Sequence, residues 1–250
     1  MRVILGILIP FFGTTIGSIL VFFMKNSLNK SLEKILMGLA SGVMIAASIW
    51  SLLIPSIEMA KTQEKFICFP SVIGFALGIM LLLIFDKMIS RFGKKLELNK
   101  SNKMLFLAVT LHNIPEGMAV GVAFAGVIVG NVGITMTGAL VLALGIAIQN
   151  LPEGAIISMP LKASGLSKRN SFLYGFFSGI VEPIFALITL AFTSKIILIL
   201  PYLLAFAAGS MMYVVVEELI PNFKEGNSKI GIIGLTIGFL IMMILDISLG

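Results

Sequence analysis

Charged residues are scarce in this sequence, at 12% of 250 positions, and it has one cysteine and one histidine. Soluble globular domains carry about 25% charged residues, so the composition excludes a protein whose main solvent is water. The lone Cys68 excludes an internal disulfide and a thiolate metal cluster, so neither redox chemistry nor structural zinc is expected. A phosphate-binding glycine-rich loop followed by Lys and Ser or Thr is absent, so use of ATP within this chain is not expected. Nothing in the sequence requires a prosthetic group.

Apolar residues dominate instead, with 58% hydrophobic positions and a mean hydropathy of +1.08. A bilayer core about 30 Å thick needs roughly 20 apolar residues per helical crossing. Eight crossings with short links would therefore use almost the whole chain, which predicts a single transmembrane domain over residues 1–250. The predicted spans are Val3–Met24, Ile35–Ile54, Phe66–Phe85, Met104–Val129, Ile134–Met159, Ser171–Phe192, Ile196–Ile220 and Ile230–Ser248.

The apolar runs lack the ten-residue alternation of barrel strands, and backbone groups cannot stay unpaired in hydrocarbon. The predicted fold class is therefore an all-α integral membrane protein of eight transmembrane helices. Of the 18 basic residues, 14 fall in the odd-numbered loops, which predicts that these loops are cytosolic and that both termini are extracytoplasmic. The longest polar stretch, residues 87–103, is predicted to be a cytosolic loop between spans three and four. The net charge of +6 follows from this bias, so the expected partner is the lipid bilayer and not nucleic acid.

The chain contains two pairs of similar sequence segments, which we call echoes. The motif His-Asn-Ile-Pro-Glu-Gly at 112–117 returns as Gln-Asn-Leu-Pro-Glu-Gly at 149–154, 37 residues later. A weaker echo relates Ala-Ser-Gly at 40–42 and Leu-Ile-Pro at 53–55 of span two to similar triplets in span seven, if one residue is gapped. Spans two and seven are predicted to run in opposite directions, as an inverted repeat of a secondary transporter requires. Chance similarity between two helices rich in Ala, Gly and Leu is the competing explanation.

The stronger echo places polar residues inside the hydrocarbon, where ionisable groups cost at least a few kcal/mol and usually serve transport or binding. These residues are His112, Asn113, Glu116, Gln149, Asn150 and Glu153. Within each motif the first residue and the glutamate are four apart and share one helix face, and a short link makes spans four and five antiparallel neighbours. The two polar faces are therefore expected to meet. Pro115 and Pro152 each free a backbone carbonyl, which is tolerated beside a polar cavity.

Two carboxylates, an imidazole and several amide oxygens form a poor anion site and a good site for zinc, iron(II), manganese or cadmium. Carboxylates this close repel each other unless a cation lies between them, so metal binding and proton release are expected to be linked. The plain structural alternative is that these residues only form hydrogen bonds between helices.

Three further groups of acidic residues have two interpretations each. Glu182, inside span six, is either a proton relay or a bridging metal ligand. Asp86, Glu217 and Glu218 are expected to cluster at the cytosolic face, as interfacial charges or as an exit site for the ion. Glu58 ends span two on the outer side, as a solvated carboxylate or part of an entrance.

The paired motifs, together with eight spans and intramembrane carboxylates in spans four to six, resemble the ZIP (Zrt/Irt-like) divalent metal transporters, particularly the prokaryotic GufA-type branch. The resemblance implies a 3+2+3 inverted-repeat bundle in the cell (plasma or inner) membrane, inward transport, and homodimers by family habit. It implies one metal held by His112, Glu116, Gln149 and Glu153. It implies a second metal held by Asn113, Glu116, Asn150, Glu153 and Glu182, with release at Asp86, Glu217 and Glu218.

The sequence departs from the family pattern at two places. Gln149 stands where many members have a second histidine, and because an amide oxygen is the weaker ligand, strict zinc preference is in doubt. The third loop contains no histidine, whereas many relatives carry a His-rich loop there, so that regulatory function is expected to be absent or altered.

Two other function classes compete with a metal permease, in which channel and carrier mechanisms are both open. A membrane di-metal enzyme would use the same carboxylates, but the His-Glu-x-x-His motif is missing and His112 is the only histidine. A proton-coupled carrier of an organic solute would relay protons through Glu116, Glu153 and Glu182. Such a relay would not need His112, whereas a metal site would.

Overall fold

A computed structural model of the chain describes residues 2–23, 29–61, 68–95, 100–130, 134–192, 199–224 and 229–249, and describes only the backbone at 89–95, 100–105, 107–108 and 111–112. Every regular element within these ranges is a helix. We number eight helices α1 to α8 in chain order. Their bounds are Arg2–Phe23, Lys30–Lys61, Phe69–Lys95, Lys100–Val129, Met136–Ala163, Lys168–Ala191, Leu200–Lys224 and Ile230–Leu249.

The helices have the length and composition of membrane spans. Seven of those described are long and apolar enough to cross a bilayer, and α4 contributes the shorter apolar stretch Asn113–Val129. The predicted all-α membrane fold is thereby confirmed. The sidedness of the termini stays a prediction based on the basic residues.

Polar side chains just before three helices determine where those helices begin. The side-chain oxygens of Asn29, Thr135 and Ser167 accept hydrogen bonds from backbone N–H groups in the first turns of α2, α5 and α6. A helix leaves its first four N–H groups without intrahelical partners, so each cap satisfies one of them. These caps are local sequence signals, which is why the starts of α5 and α6 lie close to the predicted span limits.

The polar stretch 87–103 is more helical than the sequence analysis predicted. Helix α3 continues past Lys87 to Lys95, and α4 begins at Lys100, so only residues 96–99 of this stretch lie outside the described part. The hydropathy pattern ends where the membrane ends, but Lys, Arg and Leu are good helix formers in water as well. The connection between spans three and four is therefore largely helical in its described part, and its position in the cytosol stays a prediction.

The helices pack as two groups of four. In the first group, α1 packs along α5 and α4 packs along α6, and α1 also contacts α6. In the second group, α2 packs along α8 and α3 packs along α7. The two groups meet mainly where α2 contacts α5 and where α4 contacts α7. The α1–α5 pair corresponds to the α6–α4 pair, and the α2–α8 pair corresponds to the α7–α3 pair. Two three-helix repeats, α1–α3 and α6–α8, around the central pair α4 and α5 would produce this correspondence.

The weak echo between spans two and seven has a structural counterpart. Each helix widens into a π-helical turn, at Ser48–Leu53 in α2 and at Val215–Leu219 in α7. An Ile-Pro pair follows each turn directly. A further echo relates α3 to α8: Gly74 and Gly78 precede Asp86 as Gly234 and Gly238 precede Asp246, at the same spacing. Matching helix irregularities at matching positions favour a true repeat over chance similarity.

Glycines bring the paired helices into backbone contact. A Cβ atom at Gly42 of α2 would overlap the backbone of α8 at the carbonyl oxygen of Leu235, and one at Gly78 of α3 would overlap the Phe206 carbonyl of α7. Lipid tails are as apolar as leucine, so membrane helices associate through close packing of small residues and not through the hydrophobic effect. Each helix pair of the second group therefore depends on such glycines.

We expect Gly42→Ala to destabilise the protein by about 1–3 kcal/mol, because the α2–α8 pair would have to separate to admit the methyl group. A thermal melt of the purified protein in detergent measures the loss. Gly126→Ala is the matched control, because its Cβ would meet only the tip of the Ile134 side chain. Equal stability of the two variants would contradict the role given to the helix contact.

Candidate metal centre

The polar faces of α4 and α5 meet inside the first helix group. Both helices continue through their motif prolines, Pro115 and Pro152. The side-chain Nε2 of Gln149 donates a hydrogen bond of 2.6 Å to Oε1 of Glu116. This bond joins the first residue of one motif to the glutamate of the other, and it leaves the Gln149 carbonyl oxygen and the second Glu116 oxygen without hydrogen-bond partners.

Helix α6 supplies a third carboxylate because it is interrupted. Its two halves, Lys168–Gly179 and Val181–Ala191, meet at Ile180, just before Glu182 and Pro183. Pro183 has no N–H to continue the helical hydrogen bonds across this break. Nδ2 of Asn113 donates a 2.9 Å hydrogen bond to the Ser178 carbonyl oxygen, which fixes the Asn113 amide with its oxygen unpaired.

Buried oxygen atoms without hydrogen-bond partners are concentrated here. Glu116 and Glu182 are each 1% exposed and Glu153 is 7% exposed. Each of these three carboxylates has one buried oxygen without a partner. The amide oxygens of Asn113, Gln149 and Asn150 are also buried and have no hydrogen-bond partner. A buried acceptor without a partner costs about 1–3 kcal/mol, so six in one place need a physical explanation.

The arrangement of charge suggests what these oxygens are for. Glu116 interacts electrostatically with Glu182, and Glu153 interacts with both. The Asn150 amide lies close to the carboxylates of Glu116 and Glu182, although neither of its polar atoms meets hydrogen-bond geometry. A cation between the carboxylates would relieve their repulsion and satisfy the free oxygens together. An organic anion would find no positive partner among these six residues.

His112 belongs to the predicted set and lies in α4, one turn before Glu116. Its side chain is outside the described part of the chain, so its place as a ligand stays a prediction. The other six residues of the set lie on α4, α5 and α6, in the same helix group. The described side chains of the set are linked by the Glu116–Gln149 hydrogen bond and by electrostatic interactions, but no three acidic, histidine or cysteine side chains among the described residues lie close enough together to hold a metal ion.

The predicted exit residues lie together around Tyr213. The Tyr213 hydroxyl interacts electrostatically with Asp86 of α3 and with Glu217 and Glu218 of α7. Both glutamates are in the π-helical turn of α7. Glu218 also interacts with Glu153. The three acidic residues are thus close in space, and one of them links their cluster to the buried oxygens.

Glu58 is exposed near the end of α2, apart from the central residues. It lines a cavity of about 170 Å³ with Trp50, Ser51, Thr135 and Asp246. The Ser51 hydroxyl donates a 2.6 Å hydrogen bond to Asp246 in this cavity. Asp246 therefore lies in a pocket with other polar side chains. The position of Asp246 in the repeat corresponds to that of Asp86.

The sequence analysis missed three residues of these sites. Thr14 of α1 donates a hydrogen bond to Glu182, Tyr213 faces the exit residues, and Asp246 shares the cavity of Glu58. The spacing of Gly74, Gly78 and Asp86 could have revealed Asp246, because α8 repeats it. Thr14 and Tyr213 carry no such signal, since a lone hydroxyl in an apolar span is ordinary.

Fold and site together define a polytopic membrane protein with a buried, oxygen-lined, anionic centre between its helices. A family model described as "ZIP Zinc transporter" matches residues 94–246. Zinc transporter ZIP11 of Xenopus tropicalis is 33% identical over 99% of this chain and 97% of its own length. Zinc transporter ZIPB of Bordetella bronchiseptica is 32% identical over 99% and 81%, and zinc transporter GufA of Myxococcus xanthus is 38% identical over 60% and 57%.

The chain belongs to the ZIP zinc transporter family. It is a transporter and not an enzyme, and it is a multi-pass protein of the cell membrane. The resemblance in the paired motifs is thereby confirmed, and the interpretation as a membrane di-metal enzyme is set aside.

We expect Glu153→Gln to weaken zinc binding to the purified protein by at least about tenfold, because one charged ligand of a buried cation is lost. Isothermal titration of the detergent-solubilised protein with zinc measures the change. Glu58→Gln serves as the control, since it removes a carboxylate that is exposed and apart from the centre. Unchanged affinity in Glu153→Gln would show that zinc binds elsewhere.

Proposed function

We propose that this protein carries zinc across the membrane toward the cytosol through the centre on α4, α5 and α6. The observation that supports the proposal is the set of six buried oxygens without hydrogen-bond partners, three of which belong to mutually repelling carboxylates. A divalent cation satisfies both conditions at once. Zinc is favoured because the relatives are named zinc transporters, and cadmium, iron(II) and manganese are further candidate ions.

The centre is proposed to hold two ions that share Glu116 and Glu153. His112 and Gln149 would complete the first site. Asn113, Asn150 and Glu182 would complete the second site. The contacts of Glu116 support its place in both sites, because it accepts a hydrogen bond from Gln149 of the first site and lies close to Asn150 and Glu182 of the second.

The exit is proposed to lead from Glu153 past Glu218 to Asp86 and Glu217. The electrostatic interaction between Glu153 and Glu218 supports this direction. The central ligands belong to the first helix group and the exit residues to the second, so a shift between the groups would change access to the centre. Assembly into homodimers remains a prediction from the family.

The transport proposal is tested by metal flux into proteoliposomes of the purified protein, with zinc, cadmium, manganese and iron(II) offered in turn. We expect zinc uptake that falls to the level of empty vesicles in both Glu116→Ala and Glu153→Ala, because each removes a shared ligand. Glu58→Ala, at an exposed position, is expected to retain most of the uptake. Absence of flux for every ion in the unaltered protein would overturn the proposal.

Gln149→His is expected to raise the preference for zinc over manganese by about tenfold or more. Imidazole is a better ligand than an amide oxygen for zinc, whereas manganese prefers oxygen. The ratio of the two uptake rates, measured with both ions in one assay, reports the change. A ratio that stays the same would remove Gln149 from the proposed ligand set.

A further inference from the structure

Helix α1 contributes a hydroxyl group to the centre, although no motif in the sequence indicated a contribution from this helix. Oγ1 of Thr14 donates a 2.8 Å hydrogen bond to Oε1 of Glu182. Thr14 is fully buried and Glu182 is 1% exposed. The bond joins residues 168 positions apart in the chain, so it exists only because α1 packs against the broken helix α6.

The position of this hydroxyl is fixed by close packing on two sides. A Cβ atom at Gly154 of α5 would overlap the Thr14 carbonyl oxygen, and one at Gly179 of α6 would lie 2.8 Å from the Thr14 Cβ. Both positions are glycine, so α1 approaches both helices at backbone distance. Thr14 thus lies where α1, α5 and α6 meet, and its backbone cannot move away from Glu182 without a movement of α1.

The two oxygens of Glu182 are therefore not equivalent. Oε1 is engaged by Thr14, whereas Oε2 is buried and has no hydrogen-bond partner. A carboxylate held in this way offers one oxygen in a set direction. The Thr14 hydroxyl takes one of the two lone pairs of Oε1, which disfavours binding of one cation through both oxygens.

We propose that Thr14 is a positioning residue that sets ion preference by holding Glu182 as a one-oxygen ligand. Zinc in proteins takes about four ligands in a tetrahedral arrangement, and a one-oxygen carboxylate suits it. Manganese takes six oxygens in an octahedral arrangement and gains from a second carboxylate oxygen. The Thr14 hydroxyl thus favours the ion of lower coordination number. This inference rests on the proposed transport function and on Glu182 as a ligand.

The test measures manganese and zinc uptake together in proteoliposomes of Thr14→Val, which removes the hydroxyl at nearly constant volume. We expect the manganese-to-zinc ratio to rise about threefold or more, which is a fraction of the roughly tenfold or larger effect that the loss of one hydrogen bond to a charged group can produce. The KM for manganese should fall while the maximal rate changes less. Thr14→Ser retains the hydroxyl and is expected to keep the original ratio.

Ser18→Ala is the matched control for packing of the same helix. Ser18 is also fully buried in α1, but its hydroxyl lies 2.8 Å from the Thr14 carbonyl and 3.3 Å from the Gly154 carbonyl and contacts no carboxylate. We expect its ratio to equal that of the unaltered protein. A shift in Ser18→Ala as large as in Thr14→Val would assign the effect to helix packing and overturn the proposal.

The remaining outcomes separate this inference from the transport function. Zinc uptake that depends on Glu116, with an unchanged ratio in Thr14→Val, would overturn the inference and leave the function intact. Absence of uptake in the unaltered protein would overturn both. If Thr14→Val does not fold, Thr14→Ala takes its place in the same assay. Failure of both to fold would assign Thr14 to folding alone and overturn the inference.

Discussion

Repulsion among three buried glutamates is the constraint on which this structure depends. Glu116, Glu153 and Glu182 come from three helices and interact with one another away from water. Burying an ionised carboxylate costs several kcal/mol unless it is paired, so the three glutamates would destabilise the helix bundle if they were all ionised without a cation. The surrounding structure must hold them together against that cost, and the binding of a cation would offset it. The same buried carboxylates thus account for two features of the protein, namely its function in metal transport and the buried oxygens that lack hydrogen-bond partners.

The helix packing supplies the opposing force. Glycines at Gly13 and Gly17 allow α1 to reach the backbone of α5, and Gly117 allows α4 to reach the backbone of α6 at Glu182. These contacts bring the helices that carry the carboxylates close together and leave no room for larger residues. The second helix group is joined by the same kind of contact but carries no buried glutamate among its described residues. The first helix group therefore carries the proposed metal ligands, and the second group packs against it.

Much of this architecture was predictable because the bilayer restricts what a chain can do. Eight apolar runs had to be helices, and a repeated His/Gln-Asn-x-Pro-Glu-Gly motif inside two of them had to serve a purpose worth its cost. The ends of α3 and α4 were not predictable, since hydropathy marks the membrane boundary and not the helix boundary. The repeat of α3 in α8 was visible in the spacing of two glycines and an aspartate, but among apolar helices such a pattern gains weight only once the helix pairs are known.

By itself, the sequence determined the membrane class and the number of helices, and it predicted which residues form the centre. Each of these depends on composition or on spacing within one helix, which local chemistry fixes. Only the tertiary structure decided which of these buried oxygens lack hydrogen-bond partners, that Thr14 of α1 donates a hydrogen bond to Glu182, that Tyr213 lies beside the predicted exit residues, and that Glu218 interacts with Glu153. Those facts depend on contacts between helices far apart in the chain, and contacts of this kind are set by the packing of whole helices against each other.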